Sequence, residues 1–253
     1  MIYILIAVFY LIVVILPVVF WLWFFLRQDR AEPEPRRLLI KVLLLGIGVA
    51  ILAIAVEGTI FSIVFPAQYG KVLGEASLEN SVVLISMILM FSLAGPIEEC
   101  LKYLVLREAV YQKAAFNQIA DGVIYGITLA LGFVLVENTS YFLQLYLSLP
   151  TFLFIFTTSL RGVATTLLHV TCTGIIGLYL GRAKFAAGNR KWIILKGLIG
   201  VSLLHALFNA LLFSSGGLLL AFSLTVIAFI YLVIQLRKPA TQMIWKLITP
   251  SKT

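Results

Sequence analysis

Seven separate runs of about twenty or more mostly apolar residues divide this 253-residue chain, and each is long enough to cross a bilayer as an α-helix. They lie near 2–26, 42–64, 81–106, 122–145, 152–180, 192–213 and 218–236. A backbone in lipid must satisfy its own N–H and C=O groups, so runs of this length point to an all-α, polytopic transmembrane helix bundle. A water-facing globule is excluded: 62% of the residues are hydrophobic and 12% charged, more apolar surface than a chain of this size can hide from water. A single domain over 1–253 is expected. No internal repeat, Rossmann glycine pattern or P-loop interrupts it. The run at 2–26 lacks a basic leader and is too long for a signal-peptide core, so it reads as an uncleaved span.

The net charge of +8 would suggest nucleic acid in a soluble domain. Here the basic residues sit in the loops and act as topology signals, so the expected partner is the lipid bilayer and not nucleic acid. The first loop carries Arg27, Arg30, Arg36, Arg37 and Lys41, and the third Arg107 and Lys113. The fifth carries Arg182, Lys184, Arg190, Lys191 and Lys196, and the C-terminal tail Arg237, Lys238, Lys246 and Lys252. The second loop has only Lys71, and the fourth and sixth have none. This alternation places the N-terminus outside and the C-terminus in the cytoplasm, in a plasma membrane crossed an odd number of times. The segment from Asp29 to Arg37, with two Glu-Pro pairs, reads as a polar interfacial turn.

Ionisable side chains inside spans are costly and mark function by default. Glu57, Glu98, Glu99, Lys102, Glu137, Arg161, His169 and His205 form that set, and the two histidines are the only ones in the chain. Glu98 and Lys102 are four residues apart and share a helix face, so they can neutralise each other. Glu99 lies about 100° around the helix and is expected to be free as a general base or metal ligand. Gly95-Pro96 just before them can kink the helix. The plainer alternative is an ion-paired helix end. Glu137 has Asn138 and Tyr141 as neighbours; it is either a site residue or a carboxylate bonded to a tyrosine or to Arg161. Asn209 lies one turn beyond His205, placed to orient that imidazole or to bind substrate backbone. At ~1.5 Å of rise per residue, Glu99, His169 and His205 fall ~12, ~18 and ~20 Å from the cytoplasmic helix ends, which permits one common layer. Glu57 is given no role, and Cys100 and Cys172 read as packing residues. Gly122/Gly126 and Gly177/Gly181 are small-residue pairs suited to close helix packing.

Three of these segments, in order, resemble the motifs of the PrsW family of intramembrane proteases: Glu-Glu-x-x-Lys, Phe-x-x-x-Glu and His-x-x-x-Asp. They are Glu98-Glu99-Cys100-Leu101-Lys102, Phe133-Val134-Leu135-Val136-Glu137 and His205-Ala206-Leu207-Phe208-Asn209. Asn209 departs from the family's Asp, which removes an acid role there but keeps a hydrogen-bonding one. The CAAX-processing and Abi proteases are more distant, with Glu-Glu-x-x-x-Arg and Phe-x-x-x-His where this chain has Tyr103 and Glu137. The resemblance implies a bacterial membrane protease that cuts single-pass proteins such as membrane-anchored anti-sigma factors in a stress response.

Peptide hydrolysis needs an activated water and a stabilised oxyanion. On this reading Glu99 is the base, Lys102 holds Glu98, and Asn209 supports the oxyanion. Glu137, His169 and His205 are candidate ligands of a Zn²⁺, three N/O donors plus water being the usual catalytic set. A metal-free glutamate mechanism stands beside it. A proton-coupled transporter would also bury Glu, His and Arg, but usually shows inverted repeats. A membrane scaffold leaves the buried polar groups unexplained.

Overall fold

A computed structural model describes residues 2–27, 33–66 and 81–241, and every regular element among them is helical. Seven helices are long and apolar enough to span a membrane. Helix α1 joins Ile2–Tyr10, a π-helical stretch at Leu11–Ile15 and Leu16–Leu26. The others are α2 (Arg36–Val64), α3 (Ser81–Val110), α4 (Ile119–Ser148), α5 (Thr151–Phe185), α6 (Arg190–Leu211) and α7 (Gly217–Leu236). Most run past the apolar stretches seen in the sequence, because a helix continues through its polar ends until a stop or cap intervenes. Pro35 and Pro150 precede α2 and α5. Gln118 and Asp121 form a reciprocal capping box that starts α4. Gly216, at φ 74°, turns the chain into α7.

The bundle is built around α4 and α5, which are buried for most of their length while the other helices surround them. Their contact depends on missing side chains. A Cβ on Gly122 or Gly177 would run into the backbone of the other residue, and one turn on a Cβ on Gly126 would strike Thr173. Backbones this close gain dispersion contacts that lipid tails cannot match, so the glycine pairs do the packing expected of them. On the outer surface the order is inverted relative to a soluble protein. Leu147, Phe152 and Leu219 are 82%, 76% and 74% exposed, which suits a lipid-facing belt. In α1 the π-helical stretch buries Val13 and Val14 in a small cluster with Phe142 and Phe154.

One loop reading changes. Asp29 and Arg30 lie outside the described residues, as do Lys71, Lys246 and Lys252. Glu34, however, is buried instead of lying in an interfacial turn, and it accepts a hydrogen bond from Tyr125 in α4. A carboxylate can leave the interface when a buried hydroxyl meets it. Both cysteines are free thiols: Cys172 is buried and Cys100 is exposed on the outside of α3.

The α4–α5 contact gives a direct test. Gly177→Leu should cost at least about 2 kcal/mol through overpacking and lower the melting temperature in detergent. Gly188→Leu, where an added Cβ meets nothing within 4 Å, should leave that temperature unchanged.

Candidate active site

Four helices bring the polar residues together. Helix α3 contributes Glu98, Glu99 and Lys102 from successive turns, α4 contributes Glu137, α5 His169, and α6 His205 and Asn209. Pro96 lies inside α3 without ending it. The decisive local feature is Gly95, since a Cβ there would stand 2.9 Å from Cγ of His205. Lacking one, α3 lets the imidazole of α6 lie against its backbone. The same stretch of α3 then presents two carboxylates and an ammonium to the bundle interior.

Lys102 is the hub. Its Nζ donates to Oε2 of Glu98 at 3.1 Å, to Oε1 of Glu99 at 3.0 Å and to Nδ1 of His169 at 2.8 Å. An ammonium has three N–H donors, and here three acceptors meet them. The face of Phe133 lies 3.7 Å from the same nitrogen and adds a cation–π contact. Because Nδ1 of His169 accepts, its Nε2 carries the proton; that nitrogen lies 2.6 Å from Oε2 of Glu137. Glu137 is also paired with Arg161, Nη2 to Oε1 at 2.6 Å. Arg161 in turn lies over the ring of Tyr141, 3.2 Å from its centroid. Glu99 completes the network: Oε1 is 3.0 Å from Nδ1 of His205, and Oε2 accepts from Thr173 at 3.3 Å. The two imidazoles meet edge to face, 5.0 Å between centroids.

A cavity of about 740 Å³ opens over this network, and Glu98, Glu137, His169, His205, Asn209 and Arg161 all border it. Its volume lies within the usual range for a small-molecule or peptide site. The wall is drawn from one half of the bundle: residues 50–61 of α2, 87–98 of α3, 133–145 of α4, 157–169 of α5 and 205–213 at the end of α6. Those halves adjoin the second, fourth and sixth loops. Glu99 and Lys102 do not border the cavity; both are fully buried behind it.

Several expectations are therefore revised. Glu99 is not left free. Residues three and four apart on a helix are both neighbours of Lys102, so one ammonium holds Glu98 and Glu99 together. Of these two carboxylates, Glu98 is the one that reaches the cavity. Asn138 turns to Thr165 and Thr166 and makes no hydrogen bond to Glu137. Asn209 does not orient His205; its side-chain N–H donates to the carbonyl of Phe91 at 2.8 Å and ties α6 to α3. Arg161 is the counter-ion that was one of the alternatives for Glu137. Glu57, given no role from the sequence, borders the cavity. Its signal was present: Gly46, Ala50, Ala53 and Glu57 recur at helical spacing on one face of α2, and the first three are buried.

Glu98, Glu99, His169 and His205 each offer a ligand atom, all within 4.8 Å of one another. These N/O donors suit zinc in kind, with Glu98 and Glu99 in place of the expected Glu137. As arranged, however, three of the four converge on Nζ of Lys102, so a metal ion and the ammonium would compete for one space. Glu137 stands on the opposite side of His169, drawn there by Arg161.

No solved structure gives a significant match. Protease PrsW of Bacillus subtilis is 29% identical over 204 residues, 78% of this chain and 80% of that protein. Protease PrsW of Clostridioides difficile is 27% identical over 201 residues, 78% of this chain and 76% of its own. That of Shouchella clausii reaches 33% over 128 residues, covering 50% and 55%. The sequence profile described as PrsW family intramembrane metalloprotease matches residues 34–235. A match over this much of its length means that the chain belongs to the PrsW family of intramembrane proteases.

Proposed function

We propose that the chain hydrolyses a peptide bond of a single-pass membrane protein, with water activated at the border of the cavity by Glu98. The observation that carries this reading is the chain of contacts from Glu98 through Lys102 and Glu99 to His205, which ends at the cavity on both sides. Glu98 takes a proton from water, and the hydroxide adds to the scissile carbonyl carbon. His205, its Nδ1 held by Glu99, keeps Nε2 available to the cavity. When both ring nitrogens carry a proton, the Nε2–H can meet the developing oxyanion; Glu98 returns the proton taken from water to the leaving amine as the C–N bond breaks. Glu99 is a positioning residue here, as aspartate is behind a catalytic histidine. Lys102 offsets the charge of the two carboxylates in a low-dielectric interior, where an unpaired pair would be costly. Asn209, with its second amide N–H and its carbonyl, is placed to meet substrate backbone.

A metal-bound version has its own support in the four convergent donors and in the family's description. Glu98, Glu99, His169 and His205 would hold the ion, which when bound supplies Lewis acidity and a more acidic water. The position of Lys102 favours the glutamate version.

The topology deepens the proposal. If the basic first, third and fifth loops face the cytoplasm, the half of the bundle that holds the cavity is the outer half. A smaller hollow of about 180 Å³, walled by Leu160, Ala164, Phe208 and Leu218, shares Thr157, Arg161, Thr165 and Leu212 with the main cavity. That continuity supports lateral access from the bilayer for a substrate helix between α5 and α6–α7. Anti-sigma factors anchored by one span are the substrate class that the family resemblance implies.

Three measurements check these points. On a tagged single-pass substrate, Glu98→Gln should lose on the order of 10²–10⁴-fold in kcat, the range for a general base. Glu99→Gln and His205→Ala should also be severely impaired. If Glu98→Ala and His205→Ala cut as well as wild type, the roles given to these two residues are wrong. Elemental analysis of the purified protein should give far less than one zinc per chain, with cleavage unaffected by chelators. Stoichiometric zinc that is lost together with activity would establish the metal version. In a background without Cys100 and Cys172, Leu212→Cys should react with a membrane-impermeant maleimide in intact cells. Lys184→Cys should react only after permeabilisation, and the reverse pattern would invert the topology.

A further inference from the structure

We propose that Glu57 is a specificity residue: it binds a lysine or arginine side chain of the substrate beside the bond that is cut. The inference rests on the peptidase reading above and concerns a residue outside all three family motifs. Glu57 follows the stripe Gly46, Ala50 and Ala53 on α2, so its side chain is directed into the bundle and not toward lipid. It borders the same cavity as Glu98 and Glu137. Its Oε1 is buried and has no hydrogen-bond partner among the described residues.

Charge balance around the cavity singles it out. Four carboxylates face or underlie the space: Glu57, Glu98, Glu99 and Glu137. Lys102 serves Glu98 and Glu99, and Arg161 is committed to Glu137 at 2.6 Å. Among the described residues, no other lysine or arginine borders the cavity to serve Glu57. A carboxylate within the span of a membrane protein is normally paired, or it meets a ligand. The wall around it is apolar, with Ala53, Ile54, Phe61 and Met87, and suits the hydrophobic flanks of a membrane segment. A cationic side chain entering with such a segment would make a charge-assisted hydrogen bond in a desolvated site. A neutral residue at that position would leave the carboxylate unpaired. Sites of this kind discriminate strongly against substrates that lack the partner.

The test uses the full-length protein in liposomes and a panel of synthetic single-pass peptides. A single lysine is walked through the cleaved stretch, each peptide matched by one with glutamine at the same place. The readout is the lysine-to-glutamine ratio of kcat/KM for each enzyme, in which any general loss of activity cancels. Wild type should prefer lysine at one register by at least about tenfold. Glu57→Gln should bring that ratio close to one, mainly through KM, and Glu57→Lys should shift the preference to a glutamate peptide. A wild-type enzyme without a register preference, or a Glu57→Gln enzyme that keeps it, overturns the inference and leaves the peptidase reading standing. Failure of wild type to cut any peptide removes both.

Discussion

One buried ammonium organises the polar centre of this protein. Lys102 has no water to solvate it, and a lone charge at that depth would cost several kcal/mol. It is tolerable because two carboxylates, an imidazole nitrogen and an aromatic face surround it. Those partners come from three helices, α3, α4 and α5, so satisfying the ammonium fixes how the helices meet. The carboxylates in turn have no other cation of their own. Each member of the set is affordable only in the presence of the rest, and the geometry of the site follows from that mutual dependence.

Around this charged centre, the scaffold supplies rigidity by leaving atoms out. Gly122 and Gly177 bring α4 and α5 into backbone contact, and the position of His169 is inherited from that contact. A second charged pair, Arg161 with Glu137, sits at the cavity border and holds the Nε2 side of His169. Lys102 on one side and Glu137 on the other define the orientation of that ring. The polar network and the glycine contacts are two parts of one device, because neither fixes the imidazole alone.

The fold was largely legible in the sequence, since in lipid a long apolar run has only one way to satisfy its backbone. The residues of the buried polar network stood out for the same reason: each charged residue within a span contrasts with its surroundings. Connectivity was harder to read. Helical spacing joins Lys102 to Glu98 and to Glu99 equally well, and only the packed helices show that both bonds form. For Glu137 the sequence left a site role and a bond to Arg161 both open, because nothing local decides between them; the packed helices show the pair with Arg161. Glu57 was given no role from the sequence, although its face can be traced through Gly46, Ala50 and Ala53. Small residues on a lipid-embedded helix mark the packed side, and a carboxylate continuing that side is directed inward.

The contact between Gly95 and His205 ties two events together. The imidazole rests in the place of an absent side chain, 2.9 Å from where a Cβ would stand, and reaches Glu99 on the same helix. Its working position is therefore a measure of the distance between α3 and α6. Any parting of these helices would draw His205 away from Glu99 and open the network at its α6 end.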